Sequence, residues 1–428
     1  MADRAHHGLR ISLSAVMIAA VATACATTRS GGNSGAVWRE AYQSSPADYV
    51  IAIPANFTPP KELKISPEML ERFKPKPPIT GTQRSRFAVA IEGSQIRVRV
   101  SNEESDKPLR IAAGSVALAD KDFDAQPGSM RPLTFGGRRD IVIPAGSPAL
   151  SDPVEMVVSV GSELVVSLYT PLGAATKPFG GALMSAADGD QTLTEKLTGA
   201  DSIIGRPLVS GLSVLTPKAP RIIVALGDSI TDGNRDKLGV LRSWPEELGH
   251  RLASRSGPAI AIVDAGIGGN CVITSGWGRA AVARFDRDVA RIDGVSHLVV
   301  LEGINDIGSA GQSFAGNSAP LETADLITGY RQLIARAHTR GIKVIMGTLL
   351  PFSGAMYFSP AKERQRTDVN VWIRNSGEPD AVIDFDAVMR DPGEPMRLRA
   401  DYDSGDHLHP GEAGYKAMGD AIDLKLFD

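Results

Sequence analysis

The feature that most constrains the fold is the stretch from Arg221 to Gly233. There Ile222-Ile223-Val224-Ala225-Leu226 runs straight into Gly227-Asp228-Ser229. An apolar run rich in β-branched residues that ends on Gly-Asp-Ser reads as a buried strand entering a tight turn. Trp244-Pro245-Glu246-Glu247-Leu248 then opens a helical pattern. In an open α/β sheet, ligands bind outside the carboxyl ends of the strands. Ser229 therefore stands where a reactive hydroxyl would be useful. Taken alone, it reads equally well as a turn or cap residue. The G-x-S-x-G elbow is not met, because Thr231 occupies the position of its second glycine.

The pattern that follows extends this reading. Strands are expected at Ile222 to Leu226, Ala259 to Asp264, Leu298 to Glu302, Lys343 to Leu349 and Ala381 to Phe385. Helices are expected at Trp244 to Arg255, Ala280 to Ile292, Ala324 to Arg340 and Ala361 to Asn375, with a last one from about Pro410 to Leu424. Strand and helix in alternation imply a parallel sheet covered on both faces.

The sequence before Thr216-Pro217-Lys218-Ala219-Pro220 is different in kind. Ile96, Val98 and Val100 alternate with Arg97 and Arg99, as in a strand with one buried and one wet face. Further strands are expected at Leu109 to Leu118, Asp140 to Ile143, Met156 to Val160, Leu164 to Tyr169 and Pro207 to Leu215. Short strands with regular turn signals indicate an antiparallel sandwich. Leu172 to Gly205 gives no clear pattern, and the proline-rich stretch from Ala55 to Thr82 reads as an irregular connection with one short helix around Pro67 to Phe73.

A chain of 428 residues is long enough for two domains. Its net charge of −3 gives no basis for nucleic acid as a partner. Arg4 and Arg10, the short apolar run Ile11 to Val21 and Ala22-Thr23-Ala24-Cys25 have the order of an export signal. Ala22-Thr23-Ala24-Cys25 also resembles a bacterial lipobox, with Cys25 as the lipidated first residue. The expectation is an exported protein, periplasmic or on the cell surface, with free secretion as the alternative. The membrane would then be met only through the lipid anchor. The only other cysteine is Cys271, so neither an intramolecular disulfide nor a cysteine-based zinc site is expected in the mature chain. The expected division is a signal over 1–24, a tether over 25–37, a β-sandwich-like domain over 38–215 and an α/β domain over 216–428.

Four groups of residues fall at strand ends or helix starts of the α/β part: Gly227-Asp228-Ser229, Gly266-Ile267-Gly268-Gly269-Asn270, Gly303-Ile304-Asn305-Asp306 and Asp406-His407-Leu408-His409-Pro410. Together they supply what acyl transfer needs. A serine hydroxyl becomes a useful nucleophile when a base takes its proton. An imidazole is the usual base, and a carboxylate on its far nitrogen fixes the tautomer. Asp406 and His409 are three residues apart ahead of a helix, with Pro410 suited to its first position. Gly269 can offer a backbone N–H, Asn305 a side-chain amide and Ser229 its own N–H to a developing oxyanion.

In this order and spacing, Gly227-Asp228-Ser229, Gly269, Gly303-Ile304-Asn305-Asp306 and Asp406-x-x-His409 resemble the blocks of the SGNH (GDSL) serine esterases. The resemblance runs from Arg221 to the C-terminus. It implies Ser229 as nucleophile, His409 as base, Asp406 as its orienting carboxylate, and Gly269 and Asn305 as oxyanion donors. It also implies a flavodoxin-like α/β/α sandwich and no metal or organic cofactor. The stretches Leu301 to Gly308 and Tyr402 to Pro410 look like a bacterial branch in which a β-rich domain precedes an exported esterase domain. Members of that branch are regarded as acyl- or arylesterases, some linked to polysaccharide deacetylation. The match in the N-terminal half rests mainly on Arg97-Val98-Arg99-Val100-Ser101-Asn102.

Each residue also has a plainer reading. Gly268 and Gly269 also read as turn glycines and Asn305 as a cap, although the set as a whole favours the oxyanion role for Gly269, and Asp228 reads as a brace for its turn rather than a reacting group. A metal site of Asp406, His407 and His409 lacks a visible fourth ligand. Phe352 and Tyr357, in the loop after the fourth strand, would line a substrate pocket or simply pack. The resulting expectation is an esterase for short acyl groups, including O-acetyl on small molecules or polysaccharide. The alternatives are a lipolytic acylhydrolase and a non-catalytic carbohydrate-binding lipoprotein.

Overall fold

A computed structural model describes residues 35–47, 78–174, 182–234, 237–238, 242–311 and 320–428. Cys25, the export signal and the short helix expected around Pro67 to Phe73 lie outside these residues. The described residues from Ala36 to Asp428 form one compact unit.

The first part is antiparallel. One sheet holds β1 (Val37–Gln43), β13 (Val209–Thr216), β3 (Gly93–Asn102) and β8 (Ser147–Leu150) in that order, with β9 (Val154–Val158) also paired to β3. The other runs β12 (Asp201–Gly205), β11 (Ala182–Ala187), β2 (Ile79–Ala88), β10 (Glu163–Ala174), β5 (Ala113–Leu118) and β6 (Arg131–Pro132). Ile96, Val98 and Val100 from the first and Val116, Leu164, Val166 and Leu168 from the second share one buried apolar cluster. The alternation along β3 thus does what period two requires: its apolar residues face inward.

The stretch Leu109 to Leu118 is two strands rather than one. β4 (Leu109–Ile111) pairs with β7 (Ile141–Ile143) in a separate ribbon, while β5 pairs with β10. The chain changes sheets at Ala112, whose N–H bonds to Tyr169 O at 3.0 Å. The unpatterned stretch after Leu172 contains the end of β10 and all of β11 and β12.

The second part is a parallel sheet in the order β15 (Ile260–Gly266), β14 (Arg221–Gly227), β16 (Val295–Leu301), β17 (Lys343–Gly347) and β18 (Ala381–Ile383). In order of appearance this is 2-1-3-4-5, the flavodoxin-like arrangement, with its switch point at β14. Ile222 to Leu226 are fully buried, as a central strand covered on both faces must be. Register aligns Gly227 with Gly266 on one side and with Leu301 on the other. Three of the four residue groups therefore leave the sheet from one edge.

The helices are α1 (Ser229–Asp232), α2 (Trp244–Ala253), α3 (Ala281–Phe285), α4 (Ile304–Ser309), α5 (Thr323–His338), α6 (Pro360–Asn375), α7 (Phe385–Met389) and α8 (Glu412–Ala421). Ser243 and Ser359 cap α2 and α6, each followed by proline in the first turn, where a missing N–H costs nothing. Two elements differ from expectation. The helix from Ala280 to Ile292 is α3 continued by a π-helical turn, Asp286–Ala290, in which Arg291 N–H reaches back to Asp286 O. The fifth strand stops at Ile383 because Asp384 turns to cap α7.

Candidate active site

Ser229 is the first residue of α1, a single turn. Asp228 is its cap and accepts the Ile230 N–H at 2.9 Å, so the aspartate braces the turn. As the first helical residue, Ser229 has a backbone N–H with no acceptor inside the helix. Burial pushes the Asp228 carboxyl up to about 7, against the opposing pull of the Ile230 N–H and of the charges on His409 and Arg284.

His409 arrives from the loop before α8. Its Nε2 lies 2.7 Å from Ser229 Oγ, and its Nδ1 lies 2.6 Å from Asp406 Oδ2. Asp406 also accepts the backbone N–H groups of Leu408 at 3.0 Å and His409 at 2.8 Å, and the Ser404 hydroxyl at 3.1 Å. Although burial opposes it, these donors and the His409 imidazole hold the Asp406 carboxyl well below the usual carboxylate range. An ionised carboxylate only accepts hydrogen bonds. His409 Nδ1 is then the donor to Asp406, and neutral Nε2 is left to accept the serine proton. On His409 itself burial acts downward, but the Asp406 hydrogen bond and charge outweigh it and raise the imidazole above its ordinary value.

His407 is turned to a different partner. Its Nδ1 lies 2.6 Å from Asp403 Oδ2 and its N–H donates to Asp403 Oδ1 at 3.0 Å, with φ at 62°. The two histidines thus form two separate carboxylate pairs. Among the described residues, no group of three or more His, Cys, Asp or Glu side chains is placed to hold a metal ion.

Gly269 lies in the turn after β15 at φ 74°, a conformation that favours glycine. A Cβ there would press on the Trp277 side chain at 2.9 Å. Asn305 sits in the first turn of α4 and donates through Nδ2 to Asn270 O at 3.1 Å. That uses one of its two amide N–H groups. The loops that carry Gly269 and Asn305 are therefore tied to each other. Asp306 strengthens the tie by accepting the N–H groups of Val272 at 2.8 Å and Ile273 at 3.1 Å.

The two aromatic residues separate. Phe352 is fully buried, its ring 5.2 Å from Phe358 and 6.0 Å from Tyr357. It is a core residue, not a pocket wall, because it fills the space beneath its own loop. Tyr357 is only partly buried, and its hydroxyl lies 3.4 Å from Asn305 Oδ1, beside the site.

Arg284 is the main residue that sequence reasoning did not single out. Fully buried on α3, it donates to Asn270 Oδ1 at 2.9 Å, Ala265 O at 2.5 Å, Gly227 O at 3.0 Å, Asp288 Oδ2 at 3.1 Å and Glu302 Oε2 at 3.4 Å. One guanidinium thus fastens the ends of β14 and β15, the Asn270 turn and the end of β16. Burial pushes Glu302 up to about 8 and Asp306 up to about 7, with Arg284 opposing on Glu302. The one local signal for Arg284 is Asp288 four residues on, in a helix whose other facing residues are apolar.

Residues 225–417 match the model of the GDSL-like Lipase/Acylhydrolase family. No curated protein matches the chain. Solved structures similar to it include a GDSL-like lipase from Bacteroides thetaiotaomicron, at 19% identity over 50% of this chain and 90% of that one, with a TM-score of 0.37. An acetyl xylan esterase from Geobacillus stearothermophilus is similar at 19% identity over 47% and 92%, with a TM-score of 0.37. The protein YXIM from Bacillus subtilis is similar at 17% identity over 79% and 78%, with a TM-score of 0.37. The flavodoxin-like sheet and the Ser229 turn thus lie in a part of the chain whose residues 225–417 match the GDSL-like lipase/acylhydrolase family as a domain.

Proposed function

We propose that the protein is a serine esterase that removes short acyl groups, O-acetyl on carbohydrate among them, through an acyl-enzyme. The observation that carries this reading is the unbroken relay from Ser229 Oγ to His409 Nε2 at 2.7 Å and from His409 Nδ1 to Asp406 at 2.6 Å. Ser229 Oγ attacks the ester carbonyl carbon while His409 takes its proton. The oxygen that gains charge is met by the N–H groups of Ser229 and Gly269 and by the Asn305 amide. The tetrahedral species collapses, and His409 returns the proton to the departing alcohol. Water, deprotonated by His409, then releases the acid and restores the serine.

The preference for short acyl groups draws support from the family resemblance and from the polar rim that Asp406, His407 and Ser404 give the site, all exposed. We also propose that the protein is exported and held by a lipid on Cys25. Mass spectrometry of the mature N-terminus should find an acylated cysteine, and an intact Met1 would refute export.

The function is tested with p-nitrophenyl esters of graded chain length, acetylated xylan and a fluorophosphonate label. Acetyl to butyryl esters should give higher kcat/KM than chains of ten or more carbons, and Ser229→Ala should abolish both turnover and labelling. Higher kcat/KM on dodecanoyl esters would instead indicate a lipolytic acylhydrolase. Absence of labelling in the unaltered protein would indicate a binding protein.

A further inference from the structure

The antiparallel part of the molecule reaches the nucleophile turn directly. Arg206 lies between β12 and β13, and its side chain is 5% exposed opposite Asp232 at 3%. Nη2 is 2.9 Å from Asp232 Oδ2, Nη1 is 3.4 Å from Oδ1, and Nη1 is also 3.1 Å from Ser44 Oγ. Asp232 is the last residue of α1, the turn that Ser229 opens. Its N–H bonds to Asp228 O, and the next N–H, from Gly233, bonds to Ser229 O, both at 2.9 Å. On the opposite side the turn is pressed against the end of β15, where a Cβ on Gly266 would collide with the Asp232 backbone.

A single helical turn does not hold its own shape, because nucleation fixes several dihedral angles for one hydrogen bond. The position of Ser229 Oγ must therefore be imposed from outside the turn. The Arg206 guanidinium is a buried, near-bidentate clamp, and such a fork fixes direction as well as distance. A second tie runs parallel to it. Gln43 Nε2 donates to Asp288 O at 2.9 Å and Arg287 to Pro46 O at 2.9 Å, and Asp288 in turn holds Arg284 beneath the strand ends. Ser44, Gln43 and Pro46 all belong to the exit of β1.

We propose that Arg206 is a positioning residue for Ser229, acting through Asp232, so that the antiparallel part completes the hydrolytic site. The inference rests on the assignment of Ser229 as nucleophile. Removing the clamp lets α1 relax, which moves the hydroxyl away from His409 and slows acylation more than it weakens substrate binding.

The test uses the full chain with Arg206→Gln, Arg206→Lys and the double variant Arg206→Gln/Asp232→Asn. The double variant removes both charges of the buried pair together and decides the matter if the single variant does not fold. For each variant that gives a native circular dichroism spectrum, kcat and KM on p-nitrophenyl acetate and the rate of fluorophosphonate labelling are measured well below its Tm. The expected result is a loss of about ten- to a hundredfold in kcat and in labelling rate, with KM within about threefold and partial recovery in Arg206→Lys. A folded glutamine or double variant with kcat and labelling within about threefold of the parent would overturn the proposal, leaving the pair a role in stability alone. If Ser229→Ala keeps the parent's rate, the nucleophile assignment itself fails, and the inference with it, whatever the Arg206 variants do.

Discussion

At the scale of single residues, the proposed chemistry depends on His409 taking the Ser229 proton. The Asp406 hydrogen bond and charge outweigh burial and raise His409 above its ordinary value. The base must be neutral to act, so kcat/KM should fall as pH drops through a midpoint above the ordinary histidine value of about 6.5. Asp406→Asn removes the main raising cause and leaves the burial, so the midpoint should move to lower pH while kcat drops by about 10⁴-fold. A pH–rate profile that kept its midpoint in that variant would mean the titrating group is not His409. His409→Ala should abolish turnover and His407→Ala should leave most of it, since His407 is committed to Asp403. Asn305→Ala should cost about a hundred- to a thousandfold in kcat with little change in KM, because the donor matters most as charge develops. Turnover within about threefold of the parent would make Asn305 only a tie to Asn270.

Among the elements, the helix ends carry the clearest local instructions. Ser359 precedes Pro360, and its side chain accepts the Lys362 N–H at 3.3 Å. Ser359→Ala should lower stability by about 1 kcal/mol in urea unfolding and leave kcat nearly unchanged, because α6 reaches α4 through Lys362 Nζ, which donates to Gly308 O at 2.5 Å, and not through the Ser359 side chain. A loss of activity without a loss of stability would show that the cap has some other role. The π-helical turn after α3 carries no such local instruction. It places Asp288 where its neighbours Arg284 and Arg287 both reach it, while Gln43 Nε2, which donates to Asp288 O, comes from 245 residues away and meets it only in the folded chain. A regular helix was the natural expectation because the apolar spacing of Ala281, Phe285 and Val289 is unaffected by one wide turn.

For the whole molecule, the buried carboxyls under the site set a pH dependence of stability. Burial pushes Asp228 and Asp306 up to about 7 and Glu302 up to about 8. In the unfolded chain such groups titrate near pH 4. Between those limits the folded state holds protons that the unfolded state has lost. Their contribution to stability is therefore fully present below the unfolded value and is lost as pH rises through the folded values. His409, also raised, acts in the same direction. The urea midpoint should fall between about pH 5 and pH 8, and Glu302→Gln should flatten part of that slope. A midpoint that climbed through this range would contradict the assignment. Asp406 acts oppositely: its lowered value makes its contribution disappear only in strong acid.

The local code of this chain was sufficient for the strand into Gly227-Asp228-Ser229, the alternation of strands and helices, and the pairing of Asp406 with His409. Each depends on neighbours in sequence: an apolar run, a turn residue, a cap, or a spacing of three in one loop. It was also enough to mark Gly269 and Asn305, because both follow directly from strand ends that register then aligns. Phe352 and Tyr357 stand five positions apart in one loop and differ by a single hydroxyl; packing buried the first, and the hydroxyl of the second lies 3.4 Å from Asn305 Oδ1. Arg206, and Arg284 apart from its neighbour Asp288, were silent for the same reason. Their partners lie across strands that meet through topology, 57 residues away for Gly227 and 26 for Asp232. No periodicity records such a distance, and a buried arginine looks in sequence like any solvated one until the fold removes its water.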